Sequence, residues 1–153
     1  RFVVDCPDAR HIVLCENLNF LKTPRIARDN HIELWYVGGN NISNIDYIPD
    51  HKLTLPLYYS CDWDYDGLKI YERLQDRFAR KSKSITLLYP SPILRKSVDS
   101  PEHNSRWKHD QPFSGLIRSA YSQEAISLIQ DLIAQDEWVE EETCELIEMV
   151  KLT

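Results

Sequence analysis

The sequence predicts an α/β fold: a central, largely parallel sheet of four strands flanked by helices. Two observations predict it. Short β-prone apolar runs alternate four times with stretches of helical period, the pattern of a parallel sheet covered on both faces. Carboxylates also stand at the ends of the first and third runs, at Glu16 and Asp62, where open parallel sheets place their sites.

The first strand lies within Arg10 to Glu16, around the apolar run Ile12-Val13-Leu14-Cys15. Asn17 is placed to cap a helix reaching about Arg28, which Pro24 must kink or restart. Ile32 to Val37 forms the second strand, stopped by Gly38-Gly39-Asn40-Asn41. Two adjacent glycines suit a tight loop that lets backbone approach something closely. Ile42, Ile45 and Ile48 support a short helix before Pro49. Leu57 to Cys61 is the third strand, and Leu68, Ile70, Leu74 and Phe78 mark the apolar stripe of a helix beginning near Gly67. Ile85 to Tyr89 is the fourth strand. Residues 90–115, rich in Pro, Ser, His and Asp, read as a long connection expected to be ordered only against a partner or a neighbouring domain. Two helices complete the cover, Gln123 to Ala134 and Trp138 to Val150.

At 153 residues the chain suits one domain, with a core at about 10–90 and C-terminal helices at about 122–150. It begins at Arg1 rather than Met, so it is expected to be the C-terminal piece of a longer protein. It carries no run long enough to span a membrane and no signal-peptide pattern; a soluble cytoplasmic protein without membrane association is expected. Cys6, Cys15, Cys61 and Cys144 lack metal-ligand spacing and read as small core residues rather than a zinc cluster or a disulfide frame. The net charge of −6 is uneven: residues 131–153 hold eight acids against Lys151, so the body is near neutral. The acidic end reads as a solvated helix face that keeps polyanions away from that side. The five histidines show no metal spacing, and His103 and His109, in the long connection, are expected to be solvated.

The chemistry concentrates in Asp62-Trp63-Asp64-Tyr65-Asp66-Gly67, three carboxylates and a glycine suited to a hard divalent cation. An EF-hand loop would use Asp62, Asp64, Asp66 and Gly67 as its first four features, but its twelfth position is Arg73 instead of Glu, and the segment before it is β-prone. A turn with incidental acids would account for Asp66-Gly67 alone. The remaining arrangement is a strand end followed by a helix, in which alternation places Asp62 and Asp64 on one side to grip one magnesium ion.

The lone glutamate of Cys15-Glu16-Asn17, the Gly-bearing second loop and the Asp-x-Asp pair ending the third strand together resemble the Toprim domain of topoisomerases, primases and OLD-family nucleases, over about residues 10–90. The run from Asp62 to Ile70 is most similar to the topoisomerase VI A-subunit-like branch and, within it, to the JetD family of Wadjet anti-plasmid nucleases. This resemblance implies a Rossmann-like Toprim fold and a Mg2+-dependent DNA endonuclease in which Mn2+ can substitute. It implies that Asp62 and Asp64 hold the metal, that Asp66 supports it through water or binds a second ion, and that Glu16 is a general acid/base or a ligand of that second ion. By the same resemblance the partners are DNA, a second copy in a homodimer of the full-length protein, and a condensin-like SMC-kleisin complex. A topoisomerase-like strand-cleaving subunit and a non-catalytic DNA- or partner-binding module are the rival readings. Lys69, Arg73 and Arg77 recur every four residues, with Arg80 and Lys81 beyond; the stripe could follow a DNA backbone or be a solvated face paired with Glu72 and Asp76. Lys22, Arg25 and Arg28 raise the same possibility more weakly.

Overall fold

The computed structural model describes residues 2–39 and 41–153; Asn40, in the predicted glycine loop, lies outside them. Five strands form the main sheet: β1 (Val3–Val4), β2 (His11–Cys15), β3 (Ile32–Tyr36), β4 (Leu57–Ser60) and β5 (Thr86–Leu87). Their spatial order is β1-β3-β2-β4-β5, with every pair parallel except the antiparallel β1 and β3. The α/β expectation therefore holds, with one correction: Val3–Val4 adds an antiparallel edge strand to the four expected. The fourth strand is also shorter than the predicted Ile85 to Tyr89.

Helices α1 (Pro24–Asp29), α2 (Tyr65–Ala79), α3 (Gln123–Gln135) and α4 (Leu146–Lys151) complete the regular structure. Pro24 restarts the chain, as its missing N–H allows at a first helical turn: a 3-10 turn at Phe20–Lys22 precedes it, and α1 begins on the proline itself. Asn17 caps neither piece. The isoleucine segment forms a 3-10 helix, Asn41–Tyr47, with Ile45 buried. Along α2, Leu68, Leu74 and Phe78 are fully buried, the apolar face its spacing predicts.

The C-terminal helix predicted over Trp138 to Val150 is not formed as one piece. Asp136, at φ 51, ends α3 in a left-handed cap, and Glu137–Val139 turns into strand β7, which pairs antiparallel with β6 (Arg95–Ser97). A 3-10 turn at Glu141–Thr143 and the six-residue α4 follow. An aromatic and a β-branched residue, Trp138-Val139, fit a pleated surface better than a helix start, and Val139 also bridges Trp63. Residues 90–115, expected to await a partner, pack against the body of the protein: Val98, His103, Ser105, Trp107 and Ser114 are all buried.

Glu33, at 0% exposure in β3, ties the amino-terminal arm to the body. Its carboxylate accepts from the Cys6 amide at 2.9 Å, the Trp35 indole at 2.8 Å and the Lys52 ammonium at 2.7 Å. Three charge-assisted bonds offset the desolvation of a buried carboxylate, and truncating it strands three donors. Glu33→Ala is therefore expected to lower the unfolding free energy by about 3 kcal/mol in urea titrations, whereas Arg80→Ala, which breaks an exposed pair with Asp76, should change it by less than about 1 kcal/mol.

Candidate functional site

The strand order reverses between β2 and β4. The chain leaves β2 toward β3 on one side, and β4 pairs on the other, which opens the switch-point crevice at the carboxyl ends where α/β proteins bind ligands. Glu16 and Asp62 leave those two ends side by side. The Glu16 amide donates to the Ser60 carbonyl at 2.9 Å, and the Asp62 amide donates to Glu16 Oε1 at 2.8 Å. The convergence expected of Glu16 and Asp62 is thus built into the backbone pairing of the sheet.

Two glycines permit this approach. A Cβ on Gly67 would stand 2.2 Å from the Asp62 carbonyl oxygen and 2.8 Å from Glu16 Oε1. On Gly38 it would stand 1.9 Å from the Glu16 carbonyl oxygen. Neither position admits a side chain, so the glycine loop after β3 serves the close approach predicted for it.

Asp64 is the N-cap of α2: its Oδ1 accepts from the Gly67 amide at 2.8 Å, a bond that satisfies one of the helix's free donors. The helix therefore starts two residues earlier than its sequence suggests. Asp62 and Asp64 flank the fully buried Trp63, whose amide donates to the Val139 carbonyl at 2.8 Å. Each carboxylate has its own partners. Asp62 Oδ1 accepts from the Asn17 side-chain amide at 3.2 Å and the Glu141 backbone amide at 2.8 Å. Asp64 Oδ2 faces His103 Nε2 at 2.8 Å. Asp66 is exposed, and its amide donates to Ser105 Oγ at 3.0 Å.

His103 and Glu141 correct the sequence reading. The histidine expected to be solvated is buried and stacked on Trp138, with ring centroids 3.7 Å apart and planes 8° from parallel. Its Nδ1 lies 3.2 Å from the Val98 carbonyl. Burial alone would lower its pKa, but the hydrogen bonds to Asp64 and Val98 carry it above the ordinary value. Glu141, assigned to a solvated acidic face, is 1% exposed; its Oε1 accepts from the Asn17 amide at 2.9 Å, while its Oε2 and the neighbouring Ser60 hydroxyl make no hydrogen bond of good geometry among the described residues. No local pattern distinguishes Glu141 from the adjacent Glu140 and Glu142. The only hint is its position two residues beyond the buried Val139.

Burial first, and repulsion between acids second, raise the pKa of Glu16, Asp62, Glu141 and Asp66. Burial, then the charges of Asp62 and Asp64, push Glu16 up to about 9. Burial and Asp64 push Asp62 to about 6. Burial, with Asp62 adding to it and Ser60 and Asn17 pulling the other way, pushes Glu141 to about 8. Asp66 is raised as well, by burial and Asp64, against the opposing charges of Lys108, His103 and Arg73.

Among the described residues, no three His, Cys, Asp or Glu side chains converge as a ready-made metal cage. The donor set nevertheless suits a hard divalent ion that keeps several of its waters. No protein donor reaches Asp62 Oδ2 or Glu16 Oε2 among the described residues, and His103, which pairs with Asp64, is the one basic side chain among them that meets these acids directly. The four cysteines are buried free thiols, as expected.

The basic stripe on α2 is largely neutralised. Lys69 pairs with Glu72 at 2.8 Å, Arg77 with Asp46, and Arg80 with Asp76 at 2.9 Å. Arg73 is exposed. Lys69 lies one turn from the site, whereas Arg77 lies about 18 Å along the helix from Tyr65. Arg28, in the weaker candidate patch, pairs with Asp5. Glu72 also accepts from the Tyr121 hydroxyl at 2.7 Å and the Ile117 amide at 3.0 Å, so it anchors residues 117–121 to α2 in addition to pairing along the helix.

No model of a protein family, no curated protein and no solved structure matches the chain. No helix among the described residues is long and apolar enough to cross a membrane.

The raised carboxylate pKa values set a pH dependence. Glu16 binds its proton up to about pH 9 in the folded state, against an ordinary value of 4.5, so between those values the folded protein holds more protons than the unfolded chain. Stability contributed by this site is present below pH 4.5 and is lost as pH rises toward 9. A divalent cation bound beside these carboxylates would replace the protons as the counter-charge. Thermal unfolding scans at pH 5.5 and 8.5 should therefore show a larger rise in Tm on adding Mg2+ or Mn2+ at the higher pH.

Proposed function

We propose that the chain is a Toprim-type domain that cleaves DNA phosphodiester bonds with the help of a divalent metal. The observation that carries this reading is the meeting of Glu16 and Asp62 on adjacent parallel strands at the switch point, with Asp64 one residue beyond the buried Trp63. This supports the Toprim assignment because the glutamate and the first aspartate of the Asp-x-Asp pair meet from the two strands their sequence pattern requires.

Asp62, Asp64 and Glu16 would hold the ion. Bound there, it would neutralise charge on a scissile phosphate and polarise an attacking water. Glu16, kept protonated at neutral pH by burial and by its acidic neighbours while no ion is bound, would give up that proton to solvent as the ion binds and then serve as a ligand or as a general base toward the attacking water. Asn17 and the Glu141 amide orient Asp62. Asp66, exposed and near Asp64, would act through water. Arg73, with Lys69 and Arg77 once released from their acidic partners, would contact the DNA backbone without reading sequence. Action as a homodimer with a condensin-like SMC-kleisin complex in anti-plasmid defence follows from the sequence resemblance alone.

One observation favours a second reading, a non-catalytic DNA- or partner-binding module: both oxygens of Asp64 are already engaged, by Gly67 and His103. Plasmid nicking separates the two. Supercoiled DNA incubated with the protein and Mg2+ or Mn2+ should be nicked, and Glu16→Ala and Asp62→Ala should each slow nicking by at least about 100-fold. Cleavage surviving in both variants would contradict the site. Absence of cleavage by the wild type, with salt-sensitive DNA retention that Arg73→Ala weakens, would support the binding module.

A further inference from the structure

We propose that His103 is itself a metal ligand, and that with Asp64 it forms a nitrogen-oxygen edge that makes the site prefer a first-row transition ion to Mg2+. The proposal deepens the phosphodiesterase reading and rests on it in taking Asp64 as a cation ligand.

Three observations carry it. The Nδ1 of His103 faces the Val98 carbonyl at 3.2 Å, with the Arg106 guanidinium a more distant neighbour at 3.5 Å; a carbonyl can only accept, so the tautomer that bonds it carries its proton on Nδ1 and leaves Nε2 turned to Asp64. A ring nitrogen bonded to a backbone carbonyl, with the other directed at a carboxylate-lined site, is the usual arrangement of a metal-ligating histidine. Next, Nε2 stands 2.8 Å from Asp64 Oδ2. Two ligands about 2.1 Å from one ion at right angles lie about 3 Å apart, so the pair needs little movement to share a cation. On binding, any proton shared by these two atoms would leave to solvent and the ion would take its place. Finally, the imidazole is held in position by the parallel face of Trp138, whose indole N–H donates to the Ser97 carbonyl at 3.2 Å. Asp64 is likewise held, through Oδ1, by the Gly67 amide.

The chemical consequence is selectivity. Magnesium takes oxygen ligands and parts with its waters reluctantly. Imidazole nitrogen favours the transition ions, among which Mn2+ combines well with carboxylates and waters. The segment carrying His103, a connection between β5 and α3 in sequence, would thus decide which ion binds at Asp64.

Pulsed electron paramagnetic resonance of the protein with one equivalent of Mn2+ tests this without any activity measurement. Hyperfine coupling to 14N is expected in the wild type and should vanish in His103→Gln. Calorimetry should show Mn2+ bound more weakly by about tenfold or more in that variant, with Mg2+ affinity changed by less than about threefold. Asp64→Asn, which keeps a good N-cap, should weaken both ions. Mn2+ bound to the wild type without nitrogen coupling would overturn the ligand assignment and leave the phosphodiesterase site standing. Tighter binding of both ions by His103→Gln would also overturn it, since the histidine would then compete with the metal. Failure of the wild type to bind Mn2+ at all would overturn this proposal and the metal-dependent reading together.

Discussion

The rest of the site depends on one constraint, the parallel pairing of β2 with β4. Cys15 lies opposite Ser60, so the next residue of one strand and the second residue beyond the other must share the same small volume. Both are carboxylates. The chain accommodates them with backbone donors: the Asp62 amide on Glu16, and the Glu141 amide on Asp62. Gly38 and Gly67 supply the room, since a methyl group at either would collide with Glu16 or with the Asp62 carbonyl. What these donors cannot do is offset burial and the mutual repulsion that adds to it, and the raised pKa values of Glu16 and Asp62 are the result. Protons or a cation must supply the missing positive charge.

The remainder of the chain closes around that acidic pair from two directions. From the carboxyl end, the 3-10 turn after β7 brings Glu141 under Asn17 and Asp62. From the long connection, β6 pairs with β7, and this small sheet seats Trp138 and His103 beside Asp64. The bridge between Trp63 and Val139 joins the small sheet to the acidic hexapeptide. The second layer of the site is therefore assembled from segments more than thirty residues away in sequence.

That distance explains what could be read from the sequence. The three inner strands and the helix after the hexapeptide were legible because burial on both faces leaves continuous apolar runs, and one-sided burial leaves a 3.6-residue period. Glu16 and Asp62 stood out as charges ending such runs. Val3–Val4 is too short to leave a pattern. Trp138 to Val150 has apolar residues at helical spacing, yet tertiary pairing with Lys96 and Trp63 draws its start into a strand, a case of context overriding local preference. His103 was missed because a single histidine in a polar segment leaves no periodicity; only the fold brings it to Asp64. The alternative left open for the α2 stripe, DNA contact or a solvated paired face, is sharpened, since Lys69 and Arg80 have partners on their own helix and Arg77 finds Asp46 outside it.

The account's central claim is that crowded carboxylates at the β2 and β4 ends hold protons which a divalent cation displaces. Titration calorimetry of Mn2+ into the protein at pH 7.5, repeated in buffers of different ionisation enthalpy, counts those protons directly. About one proton or more should be released per ion bound, with the number falling in Glu16→Gln. Binding with no proton release, or with the same release in that variant, would contradict it.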